Sequence, residues 1–167
     1  MRTEPKTSIR QFQDSDLKTV VSIVKATLLD HVRDSGGDPS LVSEDFLRST
    51  LSESQMLVVE GDGDVVGYLQ YQVKPPDLMI NGAALFPQWQ RRGLGCRLFT
   101  AAVRQAASEG CTRVVISVQP TNVSIRDLYV RLGFIDGSNP SGWNQEMSMT
   151  MEDVLALLRS RGPERSG

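Results

Sequence analysis

The stretch QWQRRGLGCRLF, Gln88–Phe99, places two glycines at the start of an apolar pattern with helical spacing. Glycine inside a helix costs about 1 kcal/mol relative to alanine, so Gly93 and Gly95 need another reason to be there. The preceding residues, Leu78 to about Leu85, have the composition of a strand. At a strand-to-helix turn, the first N–H groups of the helix are unpaired and carry partial positive charge. Together with Arg91 and Arg92, these glycines predict an anion site, most naturally for phosphate.

The two common nucleotide fingerprints are absent from this turn. A dinucleotide site would need a third glycine where the chain has Leu98, and an acidic residue after the next strand. A P-loop would end in Gly-Lys followed by Ser or Thr, and no such ending occurs.

Charge is unevenly distributed along the chain. Between Arg91 and Arg131 there are seven arginines and two acidic residues, although the whole chain of 167 residues has a net charge of −2. A ligand with several phosphates, such as coenzyme A, explains this segregation. A solvated basic helix face and a nucleic-acid surface are the alternatives, although no aromatic residues interleave with the arginines as nucleic-acid binding would favour.

Composition favours a cytoplasmic protein with neither a membrane span nor a metal site. Hydrophobic residues make up 40% and charged residues 23%, as in ordinary globular domains. The longest apolar runs are far too short for a membrane span, and the N-terminus has no hydrophobic signal region. Cys96 and Cys111 lack metal or redox spacing and are expected to be reduced, and His31 is the single histidine.

The periodicities predict one α/β domain with a mixed sheet, in the order β, α, α, β, β, β, α, β, α, β, followed by a short helix. The first helix is expected to begin with Asp14 or Ser15 as its cap. The predicted strands are Ser8–Phe12, Met56–Glu60, Val65–Val73, Leu78–Leu85, Arg113–Val118 and Trp143–Met151. The predicted helices carry the apolar sets Leu17 to Leu28, Phe46 to Leu51, Leu98 to Ala106, Ile125 to Leu132 and Val154 to Leu158.

Two motifs in this order resemble the GNAT superfamily of acyl-CoA-dependent N-acyltransferases. Gln90-Arg91-Arg92-Gly93-Leu94-Gly95 is similar to the family pattern Q/R-x-x-G-x-G/A, and NVSIRDLYVRLGF, Asn122–Phe134, is similar to its N-x-x-A-x-x-L-Y-x-x-x-G-F. The resemblance covers nearly the whole chain. It implies a GNAT-type domain over residues 1–160, with a splayed strand pair that binds acyl-CoA, and a disordered tail over residues 161–167.

The resemblance implies a donor site for acetyl-CoA, with no metal. The backbone amides that would hold the pyrophosphate are those of Gln90, Arg91, Arg92, Gly93, Leu94, Gly95 and Cys96. The Ala83 N–H would polarise the thioester carbonyl as an oxyanion hole does. Leu85 would pair with the pantetheine arm, and Asn122 would contact that arm while also capping a helix.

Tyr129 is implied as the general acid that protonates the departing thiolate, with core packing as the alternative. Two departures from the family pattern matter: Ile125 stands where a small alanine is common, and Met79 stands where some members carry a glutamate base. The base is then expected to be water relayed through Asn81, Ser117 or a backbone carbonyl. His31, expected just after the first helix, is more simply a surface histidine.

The resemblance implies transfer of an acetyl group to a primary amine of a small molecule or peptide, by direct attack in a ternary complex. A non-catalytic CoA-binding regulatory module is the alternative function. The acceptor is expected to contact residues 28–51 and 136–143, where Asp30, Asp34 and Asp38 would attract a cation or form a solvated loop. A partner chain could pair with the last strand, giving a homodimer, but that strand could equally complete its own sheet.

Overall fold

The computed structural model describes residues 4–34, 43–118, 123–136 and 145–161. Seven strands form one sheet in the order β1-β2-β3-β4-β5-β7-β6, and only the β4–β5 pair is parallel, which confirms the mixed sheet. The strands are β1 (Thr7–Gln11), β2 (Gln55–Gly61), β3 (Asp64–Lys74), β4 (Asp77–Leu85), β5 (Arg113–Val118), β6 (Ile135–Asp136) and β7 (Gln145–Thr150). The helices are α1 (Leu17–Asp34), α2 (Glu44–Leu51), α3 (Leu94–Ser108), α4 (Val123–Leu132) and α5 (Met151–Arg161).

Helices cover the two faces of the sheet unequally. The larger core joins α3 and α5 to one face of strands β2 to β5 and β7, and it contains the predicted stripe of α3: Leu98, Ala102, Val103 and Ala106. The smaller core joins α1 to the opposite face of β2 and β3 through Val20, Ile23, Met56, Val58 and Tyr68. Among the described residues, this second core lies over β2, β3 and the end of β4. The side chains on β5 and β7 that point the same way do not belong to it and are candidates for a site.

The start of α1 differs from the expected capping by Asp14 or Ser15. A short 3₁₀ turn over Asp14–Asp16 precedes α1, and Gln13 is its cap residue. The buried Asp16 carboxylate accepts the Gln13 N–H at 2.8 Å and is held by Arg10 at 2.8 and 2.9 Å. The Arg10 guanidinium keeps the pKa of this carboxyl below its usual range. A partly buried ion pair thus fixes the turn, and the local sequence pattern did not show the partner.

Three further boundaries differ from the expectations. His31 lies inside α1, which continues to Asp34, so it does not follow the helix. The two-residue strand β6 was not anticipated, because its length gives no periodicity. Met151 begins α5 instead of ending β7, and α5 continues to Arg161. Met147 and Met149 are buried, as the alternation predicted; residues 162–167 lie outside the described part.

Candidate active site

The site begins where β4 and β5 separate. These strands pair in parallel only from Asp77 to Ile80 on β4, opposite Arg113 to Ile116 on β5. Beyond Ile80, β4 continues to Leu85 against β3 alone, whereas Ser117 and Val118 of β5 pair only with β7. The register of β3 against β4 also shifts at this point, between Ile80 and Gly82. The predicted splayed pair is therefore present in the register, and its second half leaves one edge of β4 open.

Hydrogen-bond alternation decides which groups of β4 face the opening. The Phe86 N–H donates to the Val66 carbonyl at 2.9 Å, so these two residues form a hydrogen-bonded pair. Such pairs alternate with non-bonded pairs along an antiparallel ladder. By the register of the two strands, the N–H and C=O groups of Ala84 form hydrogen bonds with β3, whereas those of Leu85 and Ala83 do not.

The N–H and C=O groups of Ala83 and Leu85 consequently point away from β3, toward the opening beside β5. The Leu85 carbonyl gives an independent check, because it accepts a hydrogen bond from Gln90 Nε2 at 3.1 Å. This contact also joins the end of β4 to the glycine-containing turn. Both residues that the family resemblance selected on β4 thus present backbone groups to the same gap.

The turn after β4 reaches α3 through two left-handed residues. Arg91 has φ 63° and Gly93 has φ 77°. Glycine adopts such values freely, whereas for arginine they are uncommon and cost free energy. A non-glycine residue keeps a left-handed backbone only where the surrounding structure imposes it, and such residues are often found at binding sites.

The N-terminus of α3 has no capping side chain. Gly93 is its cap residue and no acidic residue lies in the first turn, which is where capping and charge would normally satisfy the free N–H groups. The first helical bond runs from the Arg97 N–H to the Gly93 carbonyl at 3.1 Å. No acceptor for the N–H groups of residues 91–96 is found in the described part of the chain. These groups are thus available to an anion.

Gly95 is not required by the fold around it. A Cβ at this position would meet only Leu85 Cδ1, at an ordinary contact distance of 3.8 Å among described residues, and its φ is not in the left-handed region. The helix itself would be more stable with alanine there. The missing side chain instead leaves room in front of the free N–H groups.

The two arginines of the turn have different surroundings. Arg92 stacks over the Trp89 ring at 4.9 Å and donates to the Gln88 carbonyl at 3.2 Å. Arg91 is exposed, and neither arginine forms an ion pair with a described residue. Their charges therefore stand beside the turn without a carboxylate to neutralise them.

Tyr129 lies on α4 and packs against the larger core. Its ring meets Phe134 edge to face, with ring centroids 5.4 Å apart. Burial raises the pKa of the Tyr129 phenol above its usual value, so the phenol keeps its proton at neutral pH. Tyr129 therefore does pack in the core, which was the alternative role for this residue. The packing holds the ring in place, and the hydroxyl makes no hydrogen bond to a described residue.

The candidate relay residues lie at the opening but differ in surroundings. Asn81 is exposed at the register shift of β4, and Ser117 is half-buried on β5. Met79 and Ser117 alternate with core residues and so lie on the face opposite α3. Glu146 on β7 stands directly opposite Ser117. This carboxylate escaped the sequence reasoning, because nothing local shows that β7 pairs with β5.

Several expected residues lie outside the described part. Asn122 and Asp38 fall there, as do residues 35–42 and 137–143 of the two segments expected to contact the acceptor. Asp30 and Asp34 lie within α1. In the described ranges, no cluster of three or more His, Cys, Asp or Glu side chains is arranged for a metal ion. None of the helices described is long and apolar enough to cross a membrane.

Comparison with known proteins identifies the family. The sequence model of the Acetyltransferase (GNAT) family matches residues 25–134, which is more than half of the chain. The chain is 30% identical over 81 residues to a provisionally named ribosomal protein bS18-alanine N-acetyltransferase of Bacillus subtilis (strain 168). That match spans 48% of this chain and only 54% of the relative's length.

Solved structures agree with this fold. The PaiA N-acetyltransferase of Thermoplasma acidophilum, solved with coenzyme A, has a TM-score of 0.72 at 16% identity, over 87% of this chain and 99% of that one. The ribosomal-protein-S18-alanine N-acetyltransferase of Escherichia coli has a TM-score of 0.64 at 18% identity, over 87% and 94%. With its open β4 edge, its uncapped α3 turn and the family match across both, the chain belongs to the Acetyltransferase (GNAT) family.

Proposed function

We propose that this chain is an N-acetyltransferase that moves an acetyl group from acetyl-CoA to a primary amine of a small molecule or peptide. One observation carries the proposal: the free edge of β4, with the N–H groups of Ala83 and Leu85, leads directly into the uncapped turn before α3. An extended thioester arm can pair along such an edge while its phosphates lie on the turn. The matched family and a neighbour solved with coenzyme A support the same donor.

The donor's phosphates would bind at the turn. The backbone amides of Arg91, Arg92, Gly93, Leu94, Gly95 and Cys96 would surround the pyrophosphate, with the helix dipole adding attraction. The Gln90 N–H, expected in the same set, already donates to the Pro87 carbonyl at 3.2 Å. The space in front of Gly95 supports close approach of the phosphate to the backbone. Asn122, by the family pattern alone, would contact the pantetheine arm.

The reaction would take place in the β4–β5 opening. The Ala83 N–H would bind the thioester oxygen and stabilise the oxyanion as the amine attacks, while Leu85 holds the arm in register. Tyr129 would give its proton to the departing thiolate, and the burial that keeps this phenol protonated supports that role. Holding both substrates side by side would supply much of the acceleration.

Direct transfer is favoured over a covalent enzyme intermediate. Cys96 is exposed but belongs to the first turn of α3, where the pyrophosphate would lie, and Cys111 is buried with a pKa raised by burial. A thiol at the phosphate end of the donor cannot reach its thioester, so we propose that the amine attacks acetyl-CoA itself.

The decisive experiment measures free-thiol release from acetyl-CoA against a panel of amines. The panel includes polyamines, amino acids, aminoglycosides, lysine peptides and a peptide with N-terminal alanine, because two of the similar proteins are named for that last acceptor. We expect turnover with at least one amine, and we expect Tyr129→Phe to lower kcat by about 10²-fold or more with acetyl-CoA affinity unchanged. Binding of acetyl-CoA with no turnover on any amine would instead indicate the regulatory module, and unchanged kcat in the variant would remove Tyr129 from the chemistry.

A further inference from the structure

The proposed transfer needs a group that takes a proton from the acceptor, and the usual candidate position cannot supply it. A primary amine such as a lysine side chain is protonated at neutral pH, with a pKa of about 10.4, and an ammonium group has no lone pair for attack. Met79 has no basic atom. Asn81 and Ser117 can pass a proton along but cannot hold it as a carboxylate can.

The sheet order places a carboxylate beside this gap. β7 lies between β5 and β6, and its register puts Glu146 directly opposite Ser117, the first β5 residue beyond the β4–β5 pairing. Residues directly opposite in an antiparallel pair have Cβ atoms about 4.5–5.5 Å apart. Glu146 alternates with the fully buried Met147, which belongs to the α3 face, so Glu146 and Ser117 share the other face with Met79.

The surroundings of the Glu146 carboxylate bear on this role. Glu146 is half-buried, and it makes no ion pair or side-chain hydrogen bond with a described residue. Arg113 lies four residues before Ser117 on the same face of β5, and it donates to the Asp77 carboxylate through two hydrogen bonds of 2.9 Å. Of the causes that raise the pKa of Arg113, the Asp77 carboxylate is the largest and the Glu146 charge is the smallest.

The other neighbours of Glu146 differ in charge. Next along β7 on the same face is the neutral Ser148, which stands opposite Val115 of β5 and Ile135 of β6. β6 also places Asp136 opposite Met147 in the register. Asp136 thus shares the α3 face with Met147, and Arg113 with its partner Asp77 are the other charged residues on the Glu146 face of the described β4, β5 and β7.

We propose that Glu146 is the proton acceptor for the amine, taking the proton directly or across Ser117 or one water. This inference rests on the proposed acetyl transfer and names a residue of the same site. The ammonium group gives one proton to Glu146, which passes it to solvent. The nitrogen lone pair then forms the C–N bond as the C–S bond breaks. The nitrogen's second proton replaces the one that Tyr129 delivers to sulfur, so the products are amide, free thiol and one released proton.

The test is Glu146→Gln in the full chain, with the amine that the panel identifies as acceptor. We expect kcat/KM for the amine to fall about 10²-fold or more near pH 7, as for loss of a general base. Raising the pH toward the pKa of the amine should recover much of this loss, because free amine then no longer needs a base. Acetyl-CoA affinity and melting temperature should stay at the wild-type values.

Two controls separate this role from simpler effects. Glu152→Gln removes the same charge from an exposed position in the first turn of α5 and should leave the pH profile unchanged. Ser117→Ala should lower kcat/KM less than Glu146→Gln if a water replaces the hydroxyl. An unchanged pH profile in Glu146→Gln, or a loss that high pH does not restore, would overturn the proposal. Absence of turnover with every amine in the wild type would overturn the acetyl transfer itself, and this inference with it.

Discussion

Strand β4 has two neighbours, and it pairs with them to different extents. Against β3 the pairing runs from Asp77 to Leu85, with one register shift. Against β5 it stops at Ile80. The closed β3 side gives the strand its stability, and the open β5 side leaves backbone groups free for a ligand. The difference shows how one strand can serve both the core and the site: alternate residues send their hydrogen-bonding groups to opposite edges.

The largest effects, on activity and on stability, are expected from two separate variants that each remove one N–H group, on opposite edges of β4. Ala83→Pro deletes an N–H that faces the opening, so we expect the protein to fold and acetyl transfer to slow about 10²–10³-fold, the usual loss for one oxyanion donor. Ala84→Pro deletes an N–H bonded to β3 and should destabilise the fold by about 1–3 kcal/mol or more. Thermal unfolding and thiol release measure both. If Ala83→Pro unfolds the protein and Ala84→Pro does not, the assignment of the two edges is wrong.

Substitution of two glycines tests the packing along the β3–β4 pairing. A Cβ at Gly67 of β3 would collide with Leu85 Cδ2, at the end of the β3–β4 pairing, so Gly67→Ala should cost about 1–3 kcal/mol of stability. A Cβ at Gly82 of β4 would meet only the Tyr68 hydroxyl, at 3.8 Å among described residues. Gly82→Ala should therefore be neutral or slightly stabilising. Denaturant unfolding compares the two, and equal losses would contradict the tight packing at Gly67.

The smallest effect is expected at the arginines of the turn. Arg92 is exposed and already stacked on Trp89, so Arg92→Gln should weaken acetyl-CoA binding by less than about fivefold, corresponding to at most about 1 kcal/mol. Added salt should reduce the difference further. Calorimetric titration at two ionic strengths measures it, with Arg104→Gln on the exposed side of α3 as a control for net charge. A loss that does not depend on salt would point to a contact other than charge.

The family, the strand-to-helix turn before α3 and, apart from β6, the order of the described elements could be predicted from short stretches of sequence. The helical spacing of apolar residues in α3 and their alternation in β7 predicted which residues are buried, because these periods can be read from neighbouring positions in the sequence. The capping of α1 could not be predicted in the same way, since the Asp16 carboxylate depends on Arg10 of the neighbouring strand. The end of β7 was missed because Met151 continues the apolar alternation although its backbone already belongs to α5.

By itself, the sequence determined that two glycines and two arginines lie together just before the apolar stripe of α3, and from this it predicted a phosphate site for an acyl donor. Only the tertiary structure decided where β4 leaves β5 and which strand takes the other side of β5. That pairing brings Glu146 opposite Ser117. Cross-strand neighbours are far apart in sequence, and no local period gives their register, so the proposed proton acceptor could be identified only once the sheet was assembled.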